Sequence, residues 1–448
     1  MQQIFILAIA IYNLDKLINF SMLTLLLRWL GILLISTILL VTSGCQSIPQ
    51  QQATVTKITF WHGINPPENR EVFQELLDKF NQTHHDIQVE AFYIGQPDQQ
   101  IPKILTAIVG NQPPDILWYV TQLTSRLVEF DAIRSLEDWL DKSPLKIEID
   151  PAMFASMEFN EHIYSVPFAT NNTAIFYRPS LFKEAGIKQL PKTWEEFHRV
   201  ARKLTQDLDG DGRIDQHGIL LSLGKGEWNI FVWLPFIYSA GGELIEDNRP
   251  NLVNSGVVRT LQFGADLVKE GVAILSSPER GYELNDFLTG KVAMQVTGPW
   301  TLRQLKQSNA DFDVFPIPVL EKPATVIGGE NLFVFKTTPK REQAAIEFLE
   351  YILSEEFQTA WAIKTGYLPI NIRSQKSQEY QKFIQQNPVL TVFLEQMQWA
   401  RSRPLLLRYT DLSENLGRAI EASLLGTKNP SEALQEAQKR LDLLWSEP

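Results

Sequence analysis

Residues 56–61 read Thr-Lys-Ile-Thr-Phe-Trp, and polar and apolar side chains alternate along them. This alternation is typical of a half-buried β-strand. Residues 87–93 repeat the alternation, and residues 115–120 form a third strand-like run after two prolines. Between these strands, residues 68–80 and 101–109 carry apolar side chains at helical spacing. The β-α-β-α-β order favours an α/β fold with a largely parallel sheet.

The rest of the chain continues this alternation. Residues 174–177, 314–318 and 331–335 have strand composition, and Thr193 with Glu196 forms the capping box of a further helix. A length of 448 residues is enough for two domains. The formal net charge of −11, with no concentrated Lys/Arg stripe, argues against nucleic acid as a partner.

The N-terminus has the features of an export signal. Residues 30–41 are uncharged and apolar, Arg28 precedes them, and small residues lead to Cys45, the only cysteine. The run is shorter than the ~20 residues that span a bilayer, so it fits a secretory h-region. Its end resembles the lipobox of bacterial lipoproteins, although Thr42 stands where that pattern usually has Leu.

The lipobox resemblance implies that Cys45 is acylated and anchors an exported protein that faces the periplasm or the cell exterior. We therefore expect residues 1–45 to be a leader, with Met22 as the tidier start, and residues 46–54 to be a polar tether. An ordinary signal peptide, or a membrane helix with an incidental cysteine, is the alternative.

Six short motifs then follow in order. They are Ile-Thr-Phe-Trp-His at 58–62, Gly-Asn-Gln-Pro-Pro-Asp-Ile at 110–116, Tyr-Ser-Val-Pro at 164–167, Tyr-Arg at 177–178 with Lys-Thr-Trp-Glu-Glu-Phe at 192–197, Gly-Pro-Trp at 298–300 and Gly-Gly-Glu-Asn at 328–331. The set resembles the family 1 extracellular solute-binding proteins, relatives of maltose- and glycerol-3-phosphate-binding proteins. The resemblance covers nearly all of the mature chain.

The resemblance implies a two-lobed, periplasmic-binding-protein-like fold of type II. Each lobe would be a mainly parallel sheet flanked by helices, with the ligand cleft between the lobes. The implied crossings lie near Pro167, Pro316 and Leu353. The expected lobes are residues 55–167 plus 318–354, and residues 168–317 plus 355–448.

The resemblance also implies a function. The protein would be a monomeric binding subunit of an ABC importer that captures a sugar, a mono- or oligosaccharide, and delivers it to the permease transmembrane subunits. A ligand that contacts both lobes shifts the population towards the closed state. A glycerol-3-phosphate or other polyol binder of the same family is the alternative, because the Phe-Trp-His motif also resembles those proteins.

A glycoside hydrolase is the alternative of another class, because it too needs a sugar cleft, with two carboxylates across the bond. No nucleophile elbow, HExxH pair or phosphate-binding glycine loop occurs in the sequence. We therefore expect no enzymatic activity and no organic cofactor.

Aromatic rings pack on the C–H faces of sugars, and polar side chains bind their hydroxyls. Where the motifs match cleft positions, or where such residues lie near predicted strand ends, we expect ligand contacts. The candidates are Trp61, His62, Asn65, Asp115, Trp118, Asn171, Asn172, Trp228, Trp233, Trp300, Glu330 and Asn331. Core packing is the alternative for each tryptophan, and a simple turn is the alternative for the two adjacent asparagines.

One acidic loop has the spacing of a calcium site. Carboxylates recur at Asp207, Asp209, Asp211 and Asp215, and the carbonyl of Arg213 occupies the seventh position. Calcium takes 6–8 oxygen ligands, which such a loop folds around one point. Gly218 replaces the usual glutamate at the twelfth position, so the predicted structural Ca²⁺ must be completed differently. A solvated acidic turn is the alternative.

Overall fold

The computed structural model describes residues 55–446 apart from Leu405 and Leu407, and before them only Leu25 and Trp29. The side chains of Pro97 and Asp98 are not described. The predicted leader, its lipidation site and the tether therefore lie outside the described residues. Among the helices of the described part, none has the length and apolar character needed to cross a membrane.

Ten strands form two five-stranded sheets. In chain order they are β1 (Thr56–His62), β2 (Ile87–Tyr93), β3 (Ile116–Tyr119), β4 (Val166–Pro167), β5 (Ala174–Tyr177), β6 (His217–Leu221), β7 (Ala273–Leu275), β8 (Val292–Thr297), β9 (Asp313–Phe315) and β10 (Asn331–Val334). The first sheet has the order β2-β1-β3-β10-β4, and the second has the order β7-β6-β8-β5-β9. Each sheet is the centre of one lobe.

Both sheets are mixed, where the sequence predicts mainly parallel ones. In the first, β1 pairs in parallel with β2 and β3, whereas β10 is antiparallel to β3 and β4. In the second, β6 is parallel to β7 and β8, whereas β5 is antiparallel to β8 and β9. The antiparallel strands β5 and β10 enter directly from the other sheet without a crossover helix, so they run against their neighbours.

Helices cover the sheets. The α-helices are Pro67–Thr83, Pro97–Val109, Thr124–Glu129, Glu137–Leu140, Phe154–Met157, Pro179–Glu184, Trp194–Leu204, Glu227–Ser239, Ser255–Lys269, Asn285–Leu288, Leu302–Gln307, Pro339–Leu353, Glu355–Thr365, Ile372–Lys376, Gln378–Gln386, Val389–Gln396, Tyr409–Leu424 and Pro430–Ser446. The 3₁₀-helices are Thr121–Leu123, Pro144–Glu148, Pro151–Met153, Pro299–Thr301 and Met397–Trp399. The capping box of Thr193 and Glu196 is confirmed.

Short strand pairs complete the structure. They are Glu158–Phe159 with His162–Ile163, Ile245–Glu246 with Arg249–Pro250, and Thr325–Val326 with Ala400–Arg401. The chain crosses between the sheets after β4 and again between β9 and β10. Single bridges join these crossing segments to each other and to a later segment, at Asn171 with Gly328 and at Thr170 with Leu368. The crossings therefore lie side by side and form the hinge.

The helix Glu355–Thr365 packs on the first lobe. Its Trp361 ring lies 6.4 Å from the ring of Phe73, and its Lys364 forms an ion pair with Glu75 of the helix Pro67–Thr83. Ser354 caps this helix, but the chain does not leave the lobe there. The sequence analysis predicts that residues 355–448 belong to the second lobe. The helix Glu355–Thr365 instead packs on the first lobe.

Candidate ligand-binding site

A cavity of about 380 Å³ lies between the lobes. The first lobe contributes Asn65, which follows β1, and Trp118 of β3. The second lobe contributes Trp228, in the first turn of the helix Glu227–Ser239, and Trp300, in the turn that follows β8. The site is therefore built largely at strand ends and helix beginnings, where polar backbone and side chains can face a ligand.

The cavity has an aromatic wall centred on Trp228. The ring of Trp228 lies 5.8 Å from Trp300, 6.0 Å from Phe231 and 6.2 Å from Tyr282, measured between ring centres. Trp300 in turn lies 6.4 Å from Tyr367. Edge-to-face and tilted contacts of this kind hold flat ring faces in fixed positions. Such a wall offers apolar planes to a ligand that has C–H faces.

Polar atoms without a protein partner belong to residues that line the same cavity. The buried donors are Nε1 of Trp118, Nε1 of Trp228 and Nε of Arg403. The buried acceptors are Oδ1 of Asn171 and Oε2 of Glu330. A buried polar atom left unpaired costs about 1–3 kcal/mol, so a ligand or water that pairs with these atoms would be stabilised in the cavity.

An ion-pair network supports one end of the cavity. Nη1 of Arg403 donates to Oε1 of Glu227 at 2.7 Å, and both side chains are largely buried, with 5% and 14% of their surface exposed. The hydroxyls of Tyr409 and Ser413 donate to the same carboxylate at 2.8 and 2.6 Å. Burial, with Glu227 beside it, raises the pKa of Tyr409 well above its ordinary value. The network fixes the guanidinium, while its Nε stays unpaired.

The lobes also touch each other beside the cavity. Nδ2 of Asn69, on the first lobe, donates to the backbone carbonyl of Trp300, on the second, at 2.9 Å. Arg303 and Glu71 approach to 3.9 Å across the same gap. The described conformation is therefore a closed one.

Glu330 carries a perturbed carboxyl group at the hinge. Loss of water around the carboxyl raises its pKa from 4.5 to about 7, and the charge of Arg403 opposes this only in part. Its Oε2 has no protein partner, which agrees with a poorly solvated carboxylate.

We expect Glu330 to make the protein less stable as pH rises from about 4.5 to about 7. Across this window the folded state holds a proton that the unfolded state has released, so the free energy of unfolding falls with pH. The contribution of this group is at most about 3 kcal/mol. Urea unfolding of the wild type and Glu330→Gln at several pH values measures it, because the glutamine cannot titrate. Parallel pH profiles for the two proteins would contradict the assignment.

Half of the predicted ligand residues line the cavity. They are Asn65, Trp118, Asn171, Trp228, Trp300 and Glu330. They come from both lobes and the hinge, as the family resemblance implies. Their contact with a ligand stays a prediction.

The other candidates on the first sheet have different surroundings. His62 is buried among rings of the first lobe, and burial together with the nearby Arg70 lowers its pKa to about 4. Asp115 accepts hydrogen bonds from the backbone of Thr59 and from Arg341, at 2.7 and 2.6 Å. Trp61 is adjacent to His62 on β1, so its side chain points to the opposite face of the sheet, where it lines a separate surface cleft. Trp61, His62 and Asp115 are therefore not part of the cavity lining.

Asn172, Trp233 and Asn331 also lie outside the cavity lining. Nδ2 of Asn172 donates to the carbonyl of Phe393 at 2.8 Å, and Nδ2 of Asn331 donates to Oγ of Ser165 at 2.8 Å. Trp233 is buried in the second lobe. It is five residues after a cavity residue on one helix, which rotates its side chain by about 140° to another face.

Several residues that line the cavity were not among the ligand contacts predicted from the sequence. Phe231 lies three residues after Trp228, so helical spacing could have identified it. Tyr282, Tyr367 and Arg403 come from segments far apart in the chain, and no spacing in the sequence joins them.

The acidic loop brings three of its predicted calcium ligands together. Carboxylate oxygens of Asp207, Asp209 and Asp215 lie within 4.8 Å of one another, all on exposed residues. Asp211 is not in this group, and its Oδ1 accepts a hydrogen bond from the backbone of Arg213 at 2.8 Å. Hydrogen bonds from the backbone of Gly212 and Gly210 lower the pKa of Asp207. An ionised, all-oxygen set is chemically suited to a hard cation.

Comparison with known proteins adds independent information. A family model described as a bacterial extracellular solute-binding protein matches residues 75–388. The sn-glycerol-3-phosphate-binding periplasmic protein UgpB of Yersinia pseudotuberculosis is 24% identical over 421 residues, covering 87% of this chain and 92% of that protein.

Two solved structures share the fold. An ABC transporter solute-binding protein from Thermotoga lettingae, bound with α-D-tagatose, has a TM-score of 0.78 and 24% identity, covering 86% of this chain and 99% of that one. UgpB from Mycobacterium tuberculosis, in complex with glycerophosphocholine, has a TM-score of 0.78 and 20% identity, covering 87% and 98%. The predicted two-lobed α/β architecture is thereby confirmed.

Proposed function

Because the chain belongs to the bacterial extracellular solute-binding proteins, we propose that its interlobe cavity captures a neutral, hydroxyl-rich ligand, a sugar. Closure of the lobes on this ligand would then present it to the permease of an ABC importer. Of the two solved structures that share the fold, one is bound with α-D-tagatose and the other is in complex with glycerophosphocholine.

The observation that carries the proposal is the mixture of unpaired donors and acceptors beside an aromatic wall. A sugar hydroxyl both donates and accepts a hydrogen bond, so it can satisfy Trp228 Nε1 as well as Asn171 Oδ1. The C–H face of a sugar ring can pack on the Trp228 or Trp300 ring at the same time. A purely apolar ligand would leave these polar atoms unsatisfied.

A glycerophosphate-type ligand is the second candidate, because the sequence relative from Yersinia binds glycerol-3-phosphate. A phosphate dianion requires several converging cationic donors. Two arginines line the cavity, but Arg403 is paired with Glu227 and Arg280 with Glu283. The carboxyl of Glu330 lines the same cavity, and its ionised form would repel the anion. The charge distribution therefore favours a neutral ligand.

We propose capture without turnover, in contrast to a glycoside hydrolase. The carboxylate of Glu227 is held by Arg403 and two hydroxyls, which suits a structural role better than attack on a glycosidic bond. The proteins to which this chain is similar are solute-binding proteins.

Isothermal titration calorimetry tests the function. A panel of mono- and oligosaccharides, polyols, glycerol-3-phosphate and glycerophosphocholine would be titrated into the purified protein. We expect stoichiometric binding of a sugar, recovered chemically unchanged, and weaker or no binding of glycerol-3-phosphate. Binding of the phosphate compounds alone would establish the second candidate, and cleavage of a bound sugar would overturn capture without turnover.

We also propose that the protein is a monomer anchored through Cys45, because the lipobox-like end of the leader supports lipidation. Cys45→Ser is expected to move the protein from the membrane fraction to the soluble fraction. A wild-type protein already in the soluble fraction would contradict the anchor.

The monomeric state is a separate proposal. Analytical ultracentrifugation of the detergent-solubilised protein measures the oligomeric state.

We further propose that the acidic loop binds a structural Ca²⁺, since carboxylate oxygens of three of its residues, Asp207, Asp209 and Asp215, lie close together. About 1 mM Ca²⁺ should raise the melting temperature above that in EDTA, because a ligand of the folded state stabilises it. Asp209→Asn should remove most of this shift. Asp247→Asn, at another exposed turn, should keep it. Equal shifts in both variants would contradict the site.

A further inference from the structure

One wall of the cavity is formed by a short loop of the second lobe. Residues 280–285 connect β7 to the helix that begins at Asn285, and all of them except Gly281 line the cavity. The ring of Tyr282 packs edge-to-face against Trp228, with 6.2 Å between the ring centres. The position of this loop therefore decides where the Tyr282 ring stands relative to a ligand.

A single buried amide binds this loop from behind. Gln295 lies on β8, the central strand of the second sheet, and is 1% exposed. Its Nε2 donates to the carbonyl of Gly281 at 3.1 Å and to the carbonyl of Glu283 at 2.8 Å. These two carbonyls flank Tyr282 in the chain. One side chain of the core thus holds the backbone on both sides of a cavity residue, although Gln295 itself is not part of the cavity lining.

The loop has two further attachments. A Cβ on Gly281 would lie 2.1 Å from Oγ of Ser222, which follows β6, so only glycine allows this close approach to the sheet. The carboxylate of Glu279, just before the loop, accepts hydrogen bonds from the backbone of Gly226 at 3.1 Å. Gly226 is the N-cap of the helix that carries Trp228. The loop is therefore tied to the sheet and to the aromatic wall.

The other polar atom of the Gln295 amide shows that packing alone does not explain this residue. Its Oε1 has no partner among the described residues, and apolar side chains such as Val232 and Phe263 line the small space around it. A buried acceptor without a partner lowers stability, and a methionine would fill a similar volume without that cost. What the glutamine supplies is a pair of N–H donors for two carbonyls of the loop.

We infer that Gln295 is a positioning residue for ligand recognition, which holds residues 280–285 so that the Tyr282 ring meets the ligand beside Trp228. Gln295 acts through the loop and does not touch the ligand. The inference rests on the proposed function, because the ligand is the one captured in this cavity. A loop that is fixed before binding does not have to be ordered by the ligand, so the affinity is higher.

Three variants separate positioning from general stability. Gln295→Met removes both donors and keeps the length of the side chain. Gln295→Asn keeps an amide but is one methylene shorter, which takes its donors away from the two carbonyls. Gln216→Met is the matched control, because Gln216 is also buried in the second lobe and donates to a backbone carbonyl, that of Leu204 at 2.6 Å, outside the cavity. Melting temperatures of all variants report on folding.

Hydrogen–deuterium exchange of the ligand-free protein tests the positioning directly. We expect the backbone amides of residues 280–285 to exchange about tenfold faster in Gln295→Met and Gln295→Asn than in the wild type, because the loop opens locally more often. Gln216→Met should leave their exchange unchanged. Unchanged exchange in both Gln295 variants would overturn the inference, whatever ligand the protein binds.

Calorimetry measures the consequence for binding. Glucose, galactose, fructose, tagatose and maltose would be titrated into the wild type, and each sugar that binds would be titrated into the variants, into Tyr282→Ala and into the double variant Gln295→Met with Tyr282→Ala. We expect Gln295→Met to weaken binding about tenfold in the wild type, and only about twofold when Tyr282 is already removed, since most of its effect passes through that ring. Gln216→Met should bind like the wild type.

The outcomes distinguish this inference from the proposed function. Equal losses of affinity in Gln295→Met and Gln216→Met would overturn the inference alone, and so would an equal effect of Gln295→Met with and without Tyr282. If the wild type bound none of the sugars, the proposed function would be overturned instead, and the exchange measurement would still decide whether Gln295 positions the loop.

Discussion

Trp228→Ala is expected to reduce sugar affinity about 100-fold, or about 2.7 kcal/mol. The substitution removes the ring at the centre of the aromatic wall, which contacts Trp300, Phe231 and Tyr282. It also removes a buried N–H donor that has no protein partner. Trp228→Phe should recover part of the loss, because it restores a ring face without the donor. Calorimetric titration with the sugar that binds the wild type measures both variants.

Trp139→Ala is the matched control. Trp139 is also half-buried, but it lies on the short helix Glu137–Leu140, and its Nε1 donates to Glu350 at 2.8 Å. Its removal should leave sugar affinity unchanged within about twofold, since it is not part of the cavity. If both variants lost affinity equally, the effect at Trp228 would reflect general destabilisation, and the cavity would not be the site.

Glu227→Ala is expected to destabilise the fold by about 3–5 kcal/mol. Arg403 is almost fully buried, and this carboxylate is its ion-pair partner. Two hydroxyl groups, on Tyr409 and Ser413, would lose their acceptor at the same time. A buried charge without its partner costs far more than the pair contributes. The midpoint of urea unfolding, with the slope unchanged, measures the effect.

Two further variants test whether the loss of stability is specific to this buried ion pair. Glu414→Ala breaks an ion pair with Arg418 that is half exposed on a helix, and it should cost no more than about 0.5 kcal/mol. Adding Arg403→Met to Glu227→Ala removes the buried charge and should recover part of the stability. A loss below about 1 kcal/mol in Glu227→Ala would show that water from the cavity solvates the guanidinium.

Much of the fold could be predicted from the sequence, because the patterns that indicate strands and helices lie within single segments. Alternation along residues 56–61 reappears as β1, whose Ile58 and Phe60 are completely buried. The mixed character of the sheets was missed, because pairing direction depends on where the chain crosses the hinge. That route joins β4 to β5 and β9 to β10, and no single segment encodes it.

The residues of the candidate site were harder to predict from the sequence than the fold, and the reason differs from one residue to the next. His62 stands in a motif that matches a cleft position, yet the strand pleat turns its ring into the core. Trp228 and Trp233 share one helix and face different directions. Arg403 and Tyr367 reach the cavity only because distant segments of the chain meet at the hinge. A sequence pattern reports spacing within one element and not proximity between elements.

The hydrogen bond from Asn69 to the carbonyl of Trp300 involves no ligand atom. It therefore favours closed lobes whether or not a sugar is bound. A stronger bond would raise the fraction of receptors that are ready to hold sugar and so lower the apparent Kd. The same change would also leave more of the empty protein in the closed form. One side-chain amide thus sets a compromise between the affinity for ligand and the amount of empty protein that is closed.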